Sequence, residues 1–454
     1  MKALRVAFCV LVVLGSVRFS VAELQADDAD ALSGPAALLP QHHASGRVGP
    51  TYTLDELEQM ALVGNPEIRV AAEHLSFVEA HVPSAGALDD PMFMYRGWQV
   101  PLSQPWNYNA AQNMFMVSQT LPGRGKRGLR TSVAESGVAE AKAALDAVRL
   151  DVRIRVRKAF YDLLRAEDGL RVHDQHIDIA RQAVEAAKIK YVVGKVPQQD
   201  ILKAEVSLTR LAEHLVRFEQ DTELARARLN TLLGRNPSEA INVSGQHGDL
   251  SPLPSLDVLE TVAIQSRPDL LQAQASVDKS RQEQALAQKA YAPDFTLSAG
   301  YMLMPSGSEF RNNYMIEGSI NLPWLNHRKH DAEIAESRTM VAEKDAEVSA
   351  MRNAAFGQIQ EALVQAKAAQ RLATIYRQSL RPQAEATLHS TVLAYENDRT
   401  EFLNLLDSQM TVIDLDLAYF QALADFDTRV ADLELAVGAP IDQLQKESPE
   451  VTHE

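Results

Sequence analysis

Seven of the chain's twelve methionines fall in four short stretches, as Met92, Met94, Met114, Met116, Met302, Met304 and Met315. A thioether is a soft, neutral donor, and several together would suit a soft ion such as Cu(I) or Ag(I). Three pairs are spaced by two, which puts both members on one side of an extended strand. Methionine also fills irregular apolar space with no ligand at all, and the sequence leaves both readings open. His42-His43, His173/His176 and His327/His330 could suggest metal sites, but scattered helix histidines are usually surface residues. Pro122-Gly123-Arg124-Gly125-Lys126-Arg127-Gly128 departs from the phosphate-loop pattern and reads as a flexible bend carrying basic residues. The sequence contains no nucleophile elbow and no H-E-x-x-H spacing. Paired acids along long helices read as solvated faces. No catalytic residue and no cofactor are expected.

Composition bounds the partners. At 454 residues, with 46% hydrophobic, 23% charged and 6% aromatic residues, the chain is neither a disordered tail nor a multi-span helical membrane protein. A formal charge of −15 makes it a poor nucleic-acid binder. Lys2 and Arg5, then the apolar run Val6 to Leu14, then Ser20-Val21-Ala22 read as a secretory signal peptide over 1–22. The single cysteine, Cys9, lies inside it, so the mature chain forms no disulfide, and Phe8 before it argues against lipid attachment. Residues 23–50 read as a flexible leader and 442–454 as a flexible tail. No window offers 18 consecutive apolar residues for a membrane helix.

The rest of the chain contains itself twice. Thr53-Leu54-Asp55-Glu56-Leu57-Glu58 recurs as Ser255-Leu256-Asp257-Val258-Leu259-Glu260, 202 positions later. Ala61, Pro66, Ile68, Pro91 and Phe93 meet Ala263, Pro268, Leu270, Pro293 and Phe295 at the same offset. Tyr191, Leu202 and Gly234 meet Tyr395, Leu406 and Gly438 at an offset of 204. The expected organisation is a first repeat over 51–240, a linker over 241–254 and a second repeat over 255–441.

Each repeat shows helix, two strands, a very long helix and a further helix. A helix from Leu54 to about Val82 is interrupted near Asn65-Pro66. Residues 90–100 and 113–121 change to a period of two. From Lys126 to Val193 no proline intervenes, and at 1.5 Å per residue this helix would reach roughly 100 Å. After Pro197 another helix runs to Leu233 and stops at Gly234. The second repeat gives 256–290, 294–304, 313–322, 328–396 and 400–437. Val156, Leu163, Leu170, Ile177, Val184 and Tyr191 fall seven apart, a coiled-coil seam.

In 295–301 the odd positions are apolar and the even ones small or polar; in 313–322 the even positions are apolar. Strands of this length with one apolar face fit lipid on one side and water on the other. Trp98, Trp106, Tyr108, Tyr301 and Tyr314 lie near strand ends, where interfacial aromatics sit. Backbone in lipid must be fully paired, so four strands cannot span alone. Three chains would pool twelve strands into a barrel, with an α-barrel of helices continuing it in a homotrimer. The expected fold is therefore mainly α with a small transmembrane β part, a two-repeat channel-tunnel in which all seven strand methionines face the lumen. A soluble periplasmic coiled-coil scaffold or adaptor is the alternative.

The repeat order, with Ser118-Gln119-Thr120-Leu121-Pro122, Ala292-Pro293-Asp294-Phe295 and Leu229-Asn230-Thr231-Leu232-Leu233-Gly234, resembles the outer-membrane efflux protein (TolC) family over about residues 53–441. It is also somewhat similar to the heavy-metal branch. The resemblance implies a trimeric, non-enzymatic duct in the outer-membrane lipid and periplasm of a Gram-negative bacterium. Its implied partners are a periplasmic adaptor and an inner-membrane pump. It also implies that the helix turns form a gate and adaptor-docking tip. There a Tyr is followed nine and twelve residues on by acids, with an Arg between. Tyr395 and Asp407 fit, Asn404 stands where an acid is expected, and Arg399 is shifted by one. Tyr191 and Asp200 fit in the first repeat, with Gly194 at the turn and Lys203 replacing the later acid. Asp398, Arg399 and Glu401 could equally be solvated turn charges.

Overall fold

A computed structural model describes residues 49–397 and 399–441. The expected signal peptide, nearly all of the leader, Asp398 and the tail lie outside the described residues. The first half runs β1 (Thr51–Tyr52), α1 (Leu54–Gly64), α2 (Pro66–Ala85), β2 (Met92–Trp98), β3 (Gln112–Leu121), α3 (Lys126–Val192), α4 (Gln198–Leu232) and β4 (Asn242–Val243). The second runs α5 (Leu256–Ser266), α6 (Pro268–Gln288), β5 (Phe295–Leu303), β6 (Asn312–Ile320), α7 (His327–Ile375), α8 (Arg381–Glu396) and α9 (Phe402–Val437). No described helix is long and apolar enough to cross a membrane.

Local sequence explains the boundaries. Thr53 and Glu56 form a reciprocal capping box that starts α1. Asn65 ends α1 and caps α2, its Oδ1 accepting from the Glu67 N–H at 2.8 Å. Pro66 then fits the first turn, where no N–H is needed. Gly234 and Gly438, equivalent in the two halves, follow α4 and α9 with φ of +69° and +84°. A Cβ on Gly438 would lie 2.7 Å from the Arg267 Cα, so the turn needs glycine for space as well as for φ.

Of the residues that recur between the halves, Leu57, Ala61 and Leu259, Ala263 are fully buried, whereas Phe93, Tyr191 and Leu202 are exposed. Leu57, Ala61, Leu163 and Leu229 lie in one core cluster, and Leu259, Ala263, Leu363 and Leu433 in a second. Val156, Leu163, Ile177 and Val184 of the coiled-coil seam are buried, while Tyr191 at its end is exposed.

Two expectations change. The helix expected over 328–396 is not continuous, because Tyr376–Leu380 forms a π-turn between α7 and α8. Pro382, in the first turn of α8, has no N–H for the preceding turn and its ring crowds a carbonyl there, which a wider turn relieves. The stretch expected as a linker, 241–254, is partly structured, since β4 pairs in parallel with β1.

Candidate conduit wall, equatorial clamp and tips

The four longer strands form one antiparallel sheet in the order β2-β3-β5-β6. Directly opposed residues share a face, so register sorts the side chains. One face carries Phe93, Tyr95, Val117, Leu297, Ala299, Tyr314 and Ile316. These apolar residues are exposed, Tyr314 at 90% and Ile316 at 82%. The other face carries Ser118, Thr120, Thr296, Ser298, Asn313 and Glu317 together with Met92, Met94, Met114, Met116, Met302 and Met315. Met304 lies one residue beyond β5, with its N–H donating to the Arg311 carbonyl across the hairpin. Met94 opposes Met116, and Met114 opposes Met302. Within this sheet β2 and β6 each keep one edge without a partner strand.

At the other end of these strands, two turns lock together. Asp294 accepts from the Gly123 N–H at 2.7 Å and pairs with Lys126 at 2.8 Å. Partial burial works against its charge, but these donors outweigh it and hold the Asp294 pKa below 3.8. The basic bend therefore closes the strand-to-helix corner of the first half onto the second. Trp98, Trp106 and Tyr108 are exposed at the hairpin end, and Trp324 is exposed at the helix end.

Midway along the helices a buried polar clamp joins the two halves. Arg157 on α3 binds Glu58 on α1 and Glu434 on α9. Burial opposes the Arg157 charge, yet the two carboxylates hold its pKa above the usual arginine value. Lys158 binds Asp432 on α9. His247 reaches from the connecting stretch between α3 and α9: its Nε2 lies 2.9 Å from Asp168 and its Nδ1 2.6 Å from Asp427. Burial raises the Asp427 pKa against the opposing pull of His247. His176 lies 3.6 Å from Asp416, which also accepts from Arg381 at 2.6 Å. Burial works against the Asp416 charge as well, but those two donors win and lower its pKa.

The tips are close to one another. After α3, Gly194 takes φ +72° with open space around it, and Asp200 is buried in the first turn of α4. The Lys190 ammonium lies 3.5 Å from the Tyr395 ring centroid, and Phe402 packs on the same ring at 5.7 Å. Arg399 donates its N–H to the Ala394 carbonyl, and Asn404 Nδ2 donates to Thr400 at 3.0 Å. Equivalent residues differ here. Tyr191 is exposed where Tyr395 is covered, and Asn404 and Asp407 are exposed where Asp200 is buried.

The model of the outer membrane efflux protein family matches residues 57–235 and again 260–439. The chain belongs to the outer membrane efflux protein family. The membership places it in the outer membrane and makes it an efflux protein. Among its relatives, the cobalt-zinc-cadmium resistance protein CzcC of Cupriavidus metallidurans is 23% identical over 83% of this chain and 87% of its own. The Vibrio cholerae outer membrane protein VceC superposes with a TM-score of 0.71 at 19% identity, covering 86% of this chain and 96% of the other. CusC also superposes at 0.71, with 15% identity over 88% and 96% of the two chains.

Several residues of this efflux-protein fold are not evident from sequence. Asp168, Asp427 and Glu434 are buried and paired, the first two with His247, which corrects the expectation that acids on the long helices are solvated. His173 is buried and His176 nearly so, although both read as surface residues. Partners up to 277 residues apart leave no local motif. The available signal is the heptad itself, because Asp427 and Glu434 fall seven apart on the inward side of α9. Among the described residues no group of three or more His, Cys, Asp or Glu is placed to hold a metal ion.

Proposed function

We propose that this efflux protein is the passive exit duct of a tripartite export system. Three copies pool their sheets into a twelve-stranded barrel and their helices into an α-barrel below it. One observation carries the reading: a four-stranded sheet with both edges open and one face of exposed apolar side chains. Such a sheet can enter lipid only when neighbouring chains pair its edges. A soluble scaffold does not account for that face. The chain is read as two repeats, over 51–240 and 255–441, and the family matches over 57–235 and 260–439 support that reading. The helix turns form the periplasmic mouth, where Tyr191, Gly194, Asp200, Tyr395, Arg399, Asn404 and Asp407 narrow the passage and meet a periplasmic adaptor. That adaptor joins the duct to an inner-membrane pump. The resistance role in the name of CzcC supports heavy-metal cations as cargo.

Expression in outer membranes tests this. A heat-modifiable trimer that requires detergent for extraction is expected, together with heavy-metal sensitivity when the gene is deleted. A freely soluble periplasmic monomer, with metal tolerance unchanged by deletion, would overturn it.

A further inference from the structure

The filler and ligand readings of the strand methionines make different demands on their surroundings. A filler is needed where the environment is dry and apolar. The apolar face of the sheet carries none of the six methionines within β2, β3, β5 and β6. All six share the face with serine, threonine, asparagine and glutamate, and of the six only Met116 is buried. They are also gathered. Met94 directly opposes Met116, and Met114 directly opposes Met302. Opposed Cβ atoms in such pairs lie about 5 Å apart, within reach of two flexible thioethers converging on one ion. Met315 joins the Met94–Met116 row across Gly300, which puts no side chain between Met116 and Met315.

The sulfurs already face polar groups. Gln112 Nε2 lies against Met302 Sδ, and Arg96 lies 3.7 Å from Met94 Sδ. We propose that Met94, Met114, Met116, Met302 and Met315 form a thioether site for soft monovalent cations, Cu(I) or Ag(I), on the lumenal wall. This rests on the duct reading above and narrows its cargo. Neutral sulfur donors beside a guanidinium favour a low-charge, soft ion over a hard divalent one. Weak, repeated ligation also suits a passage, because an ion must leave as readily as it enters.

The test uses the full mature chain in detergent and silver nitrate in chloride-free buffer as the probe. Equilibrium dialysis compares wild type with the triple variant Met94→Leu/Met116→Leu/Met302→Leu, whose side chains keep nearly the same volume. The variant should hold Ag(I) at least about tenfold more weakly while forming the wild-type oligomer. X-ray absorption of silver-loaded wild type, which needs no variant to fold, should show sulfur neighbours. Equal affinity of the two proteins, or oxygen and nitrogen neighbours alone, overturns the site. Wild-type oligomers that insert into membranes but fail to bind silver sink this proposal and leave the duct standing. Failure to insert would sink the duct reading instead.

Discussion

Arg157 illustrates what a single residue does in this fold. It brings one guanidinium to two carboxylates from opposite halves of the chain, Glu58 and Glu434, both buried. Removing it takes the shared guanidinium from two buried carboxylates and leaves Glu58 to Arg153 at 3.2 Å. Arg157→Leu should therefore cost about 3 kcal/mol, read as a lowered denaturation midpoint; a variant within a few tenths of wild type would mean the charges rearrange freely. Asp416 gives a pH signature. Its folded pKa lies below 3.8, so its contribution is complete above that value and is lost as pH falls through the folded pKa. Asp427 acts in the opposite sense, since its raised pKa makes stability fall as pH climbs from 3.8 towards the folded value. Asp416→Asn should flatten the stability curve below about pH 4 and leave Asp427's trend intact. A wild-type acid limb in that variant would remove the argument. None of these pairings was legible in the sequence, because a charged residue on a helix looks the same whether water or another repeat covers it.

At the scale of elements far more was legible. Thr53, Asn65-Pro66 and Gly234 announce helix ends through rules that act over a few residues; in the second half Pro268 and Gly438 do so again, while Ser255 and Arg267 make no side-chain cap. The period of two in β5 and β6 gave the faces, which register then paired correctly across the sheet. The π-turn at Tyr376–Leu380 escaped because a proline in a helix can be met by a kink, a break or a wider turn, and packing selects among them. Glycine geometry supplies the prediction here. Gly194 and Gly438 both have positive φ, but only Gly438 has backbone within 3 Å of where a Cβ would go. Gly194→Ala should cost about 1 kcal/mol for its backbone conformation alone. Gly438→Ala should cost clearly more, because Arg267 must also move. Equal shifts in the denaturation midpoint would show that the α9 turn is not held against α6.

For the whole molecule, the deciding feature is the division of the sheet into an apolar and a polar face. A charge should be tolerated on one and not on the other. Ile316→Arg should block assembly or cost about 2–4 kcal/mol if the residue meets hydrocarbon near mid-bilayer. Ser319→Arg, exposed on the opposite face beside Thr296, should alter passage more than stability. The proposed trimer is read from two sources: open edges say that partners are needed, and the family resemblance implies how many. The most direct measurement places single spin labels along Phe295–Leu303 in reconstituted vesicles; Cys9, the chain's one cysteine, lies in the expected signal peptide. Labels at 295, 297, 299 and 301 should be accessible to oxygen, and those at 296, 298, 300 and 302 to an aqueous nickel chelate. A uniform profile along the strand, with no two-residue alternation, would contradict a wall that has lipid on one side and a water-filled passage on the other.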